Sequence, residues 1–159
     1  MKLSIIRTLG TMLLITGAFS IEAAGLIVND PWVRAAPPVA PVLAAYMILE
    51  NHSSSDISVV DVRTSLEVNG VGMHRTIMTN GMMSMVPQEF IPVAPHSSTV
   101  LEPGSWHIML VGPKKVPVKG EIVHLTLVLS DGSEQAVAAT VRQGKMMMNG
   151  EKSHEMKAD

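Results

Sequence analysis

Short runs of alternating apolar residues, separated by turn-forming residues, recur along most of the chain. The clearest run has an apolar residue at every second position from Val123 to Leu129, and Asp131-Gly132 follows as a turn. A period of two places these side chains on one face of a strand, and Asp-Gly favours a tight hairpin. After the first 25 residues there is no long segment with helical periodicity. The sequence therefore predicts an all-β fold.

The same pattern, bounded by Pro, Gly, Asn and Ser, predicts ten strands. They are expected at Leu26–Asn29, Pro31–Ala35, Ala44–Asn51, Ile57–Thr64, Gly72–Thr79, Met82–Val86, Thr99–Leu101, Trp106–Val111, Glu121–Leu129 and Glu134–Val141. So many strands in one short chain bury their apolar faces best as two packed antiparallel sheets with Greek-key connections. We predict a single-domain Greek-key β-sandwich.

The N-terminal segment has the layout of a secretory signal. Lys2 and Arg7 precede an apolar run from Leu9 to Phe19, and small residues follow. The run is shorter than the ~20 residues of a membrane span, so no stable membrane insertion is expected. We predict that residues 1–24 are a signal peptide removed on export, which in a bacterium leads to the periplasm. The mature domain is predicted at 25–142, and the polar, Met-containing residues 143–159 as a flexible tail.

Composition excludes several functions. The chain has no cysteine, so thiol chemistry, iron–sulfur clusters, blue-copper sites and a cysteine-linked lipid all lack their residue. The formal net charge is −2, and removal of the signal makes it one charge more negative. Nucleic acid is therefore not an expected partner, because binding its phosphates requires clustered Lys and Arg.

The thirteen methionines are concentrated in informative places. In the window VGMHRTIMTNGMMSMVP, Asn80-Gly81 favours a two-residue hairpin turn. The resulting register places His74, Met78, Met83 and Met85 on one face. One imidazole and three thioethers would therefore share a patch.

A second window, PGSWHIMLVG, places His107 and Met109 two residues apart in a predicted strand, so that they point the same way. If the hairpin lies over this strand, His74, Met85, His107 and Met109 converge. Imidazole and thioether ligands favour Cu(I) over Zn(II), Ca(II) or Mg(II). The alternative is that these methionines fill core gaps. That is the assignment for Met47 and Met73, whereas His52, His96 and His124 are expected at the surface.

The spacing of these four residues resembles the signature of the periplasmic copper chaperone family PCu(A)C. Ten residues separate His74 from Met85, twenty-one separate Met85 from His107, and one separates His107 from Met109. PWVRAAPPVAPVLAAYMILEN and LEPGSWHIMLVGPKKVPVKGEIVHLTLVLSDG also resemble the family, so that the likeness covers about residues 26–142. The resemblance implies a cupredoxin-like sandwich that binds Cu(I) through these four ligands. It also implies delivery to the binuclear copper centre of cytochrome c oxidase, alongside a Sco-type thiol protein.

The C-terminal tail and the competing functions complete the expectations. By resemblance, the tail forms a second, weaker copper site, with Cu(II) bound through His154; plain disorder is the alternative. The tail residues concerned are Met146, Met147, Met148, His154 and Met156. No catalytic motif is present, so we expect no enzymatic activity. Periplasmic copper storage or detoxification, and a Met-rich protein-binding β-sandwich, remain as alternatives.

Overall fold

The structure is a computed structural model that describes residues 25–144, and within that range it is built entirely of strands and turns. The strands are β1 (Leu26–Arg34), β2 (Val42–Asn51), β3 (Ile57–Thr64), β4 (Gly70–Thr79), β5 (Met82–Gln88), β6 (Ile91–Val93), β7 (Ser97–Leu101), β8 (Trp106–Val111), β9 (Ile122–Leu129) and β10 (Glu134–Arg142). The all-β prediction is confirmed. The predicted signal peptide and nearly all of the predicted tail lie outside the described residues.

The strands form one hydrogen-bonded array in the order β5-β4-β8-β7-β2-β1-β10-β9-β3-β6. Strand β2 joins two parts of this array, one made of β5, β4, β8 and β7 and the other made of β1, β10, β9, β3 and β6. On one side its first half pairs with β8 and its second half pairs with β7, and on the other side it pairs with β1. The array folds over itself: β4 contacts β3, and β6 contacts β2 and β7, although none of these pairs are neighbours in the order. The predicted sandwich architecture is therefore present, but its pairings are not all antiparallel as expected, because β1 pairs with β10 and β7 pairs with β8 in parallel.

The core lies between the two folded halves. Val123, Leu125, Leu127 and Leu129 are all buried, as the alternation on β9 predicts, and β10 pairs with β9 as the expected hairpin. The other half contributes Ile108 and Leu110 of β8, which are completely buried. Because the chain has no cysteine, this burial holds the fold together without disulfides.

The observed strands differ from the predicted ones in two places. The two segments expected before and after Asp30 form one strand, β1, whose register against β2 shifts between Asn29 and Trp32. Asp30 has a positive φ of 46°, and this irregularity lets the strand pass Pro31 without ending. Strand β6 was not predicted, since it has only three residues with Pro92 at its centre. It pairs with β3 at the edge of the array, where a proline is tolerated.

Candidate metal centre

The pairing of β4 with β8 places two histidines side by side. His74 lies directly opposite His107 in the antiparallel register. Their ring centroids are 5.9 Å apart, and the ring planes differ by only 20°. Residues directly opposite each other project from the same face of a sheet. The convergence of these two histidines, expected from the sequence only if the hairpin lay over β8, is present in the fold.

One nitrogen on each ring is buried and has no hydrogen-bond partner. Within residues 25–144, Nδ1 of His74 and Nε2 of His107 are the two buried side-chain nitrogen or oxygen atoms without a partner. A buried polar atom left unpaired costs about 1–3 kcal/mol. Two such atoms on adjacent, nearly parallel rings fit a shared metal ion, which would accept an electron pair from each nitrogen.

The second nitrogen of His107 orients its ring. Nδ1 lies 3.0 Å from the carbonyl oxygen of Ser105. That carbonyl also accepts the backbone N–H of Thr76 at 3.1 Å, so its position is tied to both strands. When Nδ1 carries the proton and donates it to Ser105, Nε2 presents a lone pair. This arrangement is typical of metal-binding histidines.

Gly72 leaves the space that the His74 ring occupies. A Cβ atom built on Gly72 would lie 2.9 Å from Cε1 and 3.4 Å from Nδ1 of His74. Any larger residue would therefore push the imidazole from its place. The sequence analysis did not identify Gly72, and its signal was available: it lies two positions before His74 on the same face of the predicted strand.

The two methionines reach this face from either side. Met109 is half-buried and lies between Gly72 on β4 and Ala44 on β2, directly opposite both. Met85 lies opposite Thr76 on the outer strand β5, and its side chain is 63% exposed. The predicted register of the Asn80-Gly81 hairpin is confirmed, with both turn residues at positive φ.

A cavity of about 460 Å³ opens beside the histidine pair. Met85, His107 and Met109 line it, together with Arg34 and Tyr46. Burial raises the pKa of the Tyr46 hydroxyl, and the Arg34 guanidinium, which hydrogen-bonds to it, opposes part of that rise. His107 is only 4% exposed, so that one imidazole is reached through this cavity while Met85 faces solvent.

The donors on this face are neutral imidazole nitrogens and thioether sulfurs. In the described part of the chain, no group of three or more His, Cys, Asp or Glu side chains is arranged to hold a metal ion. The face suits a soft, monovalent ion.

The remaining His and Met predictions can be compared with their positions. Met47 and Met73 are buried in the core, as expected. His52, His96 and His124 are exposed, also as expected. The residues expected to form a second site in the tail lie beyond residue 144, outside the described residues.

Within residues 25–144, the structure contains no helix with the length and hydrophobicity of a membrane span.

Comparisons with known proteins agree with this architecture. The model of the family described as "Putative lipoprotein LpqE-like" matches residues 26–141. "Putative lipoprotein Lxx21020" from Leifsonia xyli subsp. xyli is 34% identical over 122 residues, which are 76% of this chain and 72% of that protein.

Two solved structures show the same fold. The apo PCuAC domain from PmoF1 superposes with a TM-score of 0.65 at 20% identity, over 77% of this chain and 98% of that one. The solution structure of CuI-DR1885 from Deinococcus radiodurans gives a TM-score of 0.58 at 32% identity, over 80% and 85% respectively. The chain therefore belongs to the LpqE-like family and has the cupredoxin-like fold of PCuAC domains.

Proposed function

We propose that this protein is a periplasmic copper chaperone that holds one Cu(I) ion through His74, Met85, His107 and Met109. The observation that carries the proposal is the pair of buried, unpartnered nitrogens on His74 and His107. A soft monovalent cation would bind both lone pairs without displacing a proton from neutral imidazole. The two thioethers on the same face complete a set of four ligands.

The choice of metal follows from the ligand chemistry. Thioether sulfur and imidazole nitrogen are soft to intermediate donors, which favour Cu(I) over the hard divalent cations. Neither ligand is lost to disulfide formation in an oxidising compartment, although Met can form sulfoxide. The structure of CuI-DR1885, 32% identical to this chain, supports the same metal here.

The unequal exposure of the four ligands suggests how copper is passed on. Met85 is solvent-exposed and lies on an outer strand, whereas His107 is buried and hydrogen-bonded at its other nitrogen. An incoming ligand from an acceptor would replace Met85 first, and the histidines would leave last. Because each incoming ligand binds before the ligand it replaces leaves, the ion is never released into solution.

The recipient and the cellular context follow from the resemblance to PCu(A)C. We propose delivery to the binuclear copper centre of cytochrome c oxidase, in cooperation with a Sco-type thiol protein. We also propose that residues 1–24 are cleaved on export and that 25–142 form the copper-binding domain. Although the relatives are named lipoproteins, this chain has no cysteine to carry a lipid.

A second copper site in the tail is a separate part of the proposal. Cu(II) would bind through His154, and the neighbouring methionines, Met146, Met147, Met148 and Met156, would add soft donors. Truncation after Arg142 should lower the total copper bound without changing the tightest equivalent. Equal stoichiometry before and after truncation would remove the tail site.

The central experiment is an anaerobic Cu(I) titration of the mature protein against a competing chelator. One tight equivalent is expected, and it should be lost in a His107→Ala/Met109→Ala variant. A matched control is His124→Ala/Met82→Leu, which removes one exposed His and one exposed Met elsewhere. If the parent binds no copper tightly, the chaperone proposal fails and the Met-rich protein-binding sandwich takes its place.

Copper storage or detoxification would use the same site, so binding alone does not separate it from delivery. Transfer does. A chaperone should transfer its copper to an apo acceptor faster than the copper could first be released to a chelator and then captured by the acceptor. A storage protein should retain its copper under the same conditions.

A further inference from the structure

We infer that the tip of the β4–β5 hairpin holds a second, weaker Cu(I) site, formed by Met78 and Met83, through which copper enters the four-ligand site. This inference rests on the proposed function, since it describes a path to that site. It concerns residues that the four-ligand set leaves out.

The first observation is the exposure of these side chains. Met78 is 70% exposed and Met83 is 65% exposed, and neither belongs to the hydrophobic core. Core filling, the usual role of methionine, therefore does not explain them. Strand β5 is at the end of the array, so that its outer edge pairs with no strand among residues 25–144.

The second observation is their register. Met78 and Met83 lie directly opposite each other, one pair beyond the turn. In a two-residue hairpin the pair next to the turn, here Thr79 and Met82, exchanges backbone hydrogen bonds, and the following pair does not. Side chains of such a non-hydrogen-bonded pair lie closer, with Cβ atoms about 5 Å apart. Two flexible thioethers at that separation can bind one Cu(I) ion between them.

The third observation is the position of Met85. It lies two residues from Met83 on the same strand, and therefore on the same face, which also carries Met78, His74 and His107. Met85 is 63% exposed, so its thioether is free to turn toward either group. It can bind a copper ion held by Met78 and Met83 and then carry it to the histidines.

The transfer is balanced as ligand exchange. A Cu–S bond to Met85 forms before the bonds to Met78 and Met83 break, and bonds to the histidine nitrogens then form. All the ligands are neutral before and after, and the copper stays monovalent. The step therefore needs neither a proton acceptor nor a redox partner.

Met82 provides a matched control. It lies on the same hairpin and is 70% exposed, but it is opposite Thr79 and projects from the other face. A site that needs two methionines on the same face of the hairpin would use Met78 and Met83 and leave Met82 unaffected. Non-specific attraction of copper to exposed methionine would affect all three.

The test is an anaerobic titration of the mature protein, labelled with ¹³C at the methionine methyl groups, with Cu(I) beyond one equivalent. The first equivalent should shift the signals of Met85 and Met109. Copper beyond it should shift those of Met78 and Met83 but not that of Met82, and the signals of the tail residues Met146, Met147, Met148 and Met156 report any binding by the tail separately. Met78→Leu/Met83→Leu should keep the first response and slow loading from a Cu(I)–chelator complex. Met82→Leu should change none of these.

The outcomes separate this inference from the proposed function. If the first equivalent binds but Met78 and Met83 never shift, or shift no more than Met82, the hairpin site is wrong and the chaperone site stands. If no tight equivalent binds, the chaperone proposal fails. The His107→Ala/Met109→Ala variant then tests the hairpin site by itself. Its Met78 and Met83 methyl signals should still shift at higher copper concentration, and a lack of shift overturns the inference.

Discussion

Gly72 and His74 are two residues apart on the same face of β4, and a Cβ atom on Gly72 would lie 2.9 Å from Cε1 of the His74 ring. That distance is shorter than a carbon–carbon contact allows, so the ring occupies space that only glycine leaves free. The imidazole is thereby held next to His107, with its Nδ1 unpartnered. The position of His74 Nδ1, a ligand in the proposed copper site, therefore depends on the absence of a side chain at residue 72.

Gly72→Ala should weaken Cu(I) binding by about tenfold or more, equivalent to roughly 1.4 kcal/mol, because the ring must move. Thermal stability should change little, since the ring is partly exposed and can rotate away. A chelator-competition titration measures the affinity. The control is Gly70→Ala on the same strand, where an added Cβ meets no atom within 4 Å. Equal affinity for both variants would contradict the role given to Gly72.

Met109 tests the thioether directly. Met109→Ala should weaken Cu(I) binding by about tenfold or more, and Met109→Leu should do the same while keeping the side-chain volume. The leucine variant should lose less than about 1.5 kcal/mol of unfolding free energy, as volume-conserving substitutions do. Competition titration and urea unfolding measure the two effects separately. Parent-like affinity in Met109→Leu would show that sulfur is not a ligand.

Tyr46 is the only tyrosine in the chain, so its ionisation can be followed by ultraviolet absorbance. Burial raises its pKa in the folded state. The raised pKa stabilises the fold at pH values below the unfolded pKa, and this contribution is lost as the pH rises through the folded one. The pH midpoint of Tyr46 ionisation should therefore be higher in the native protein than in denaturant.

Arg34 opposes that rise, which provides a second measurement. Arg34→Gln removes the nearby positive charge and should move the native midpoint further upward. A native midpoint equal to that in denaturant, or a downward movement in Arg34→Gln, would contradict the placement of Tyr46 in a desolvated cavity beside a cation.

The core makes a prediction about stability. Leu127 is completely buried on β9, and the same strand carries Ile122, which is 56% exposed. Leu127→Ala should cost about 2–5 kcal/mol of unfolding free energy, whereas Ile122→Ala should cost well under half of that. Urea denaturation measures both. Similar losses at the two positions would mean that β9 does not face the core as described.

Local pattern in the sequence determined much of this protein. Alternation on β9 identifies the buried face, because side chains on a strand alternate strictly between two sides. Asn80-Gly81 determines the β4–β5 register, because a two-residue turn with positive φ at both positions permits one pairing. Met47 and Met73 in the core, and the exposed His52, His96 and His124, also follow from local context.

Tertiary structure decided what the local pattern does not contain. The antiparallel pairing of β4 with β8 joins segments more than twenty residues apart, and it alone sets His74 opposite His107. The carbonyl of Ser105 that orients His107 depends on the same pairing, since it also accepts the backbone N–H of Thr76 on β4. Strand β6 exists only because β3 offers it an edge. Long-range contacts of this kind are set by packing of the whole chain, so a residue's neighbours in sequence do not reveal them.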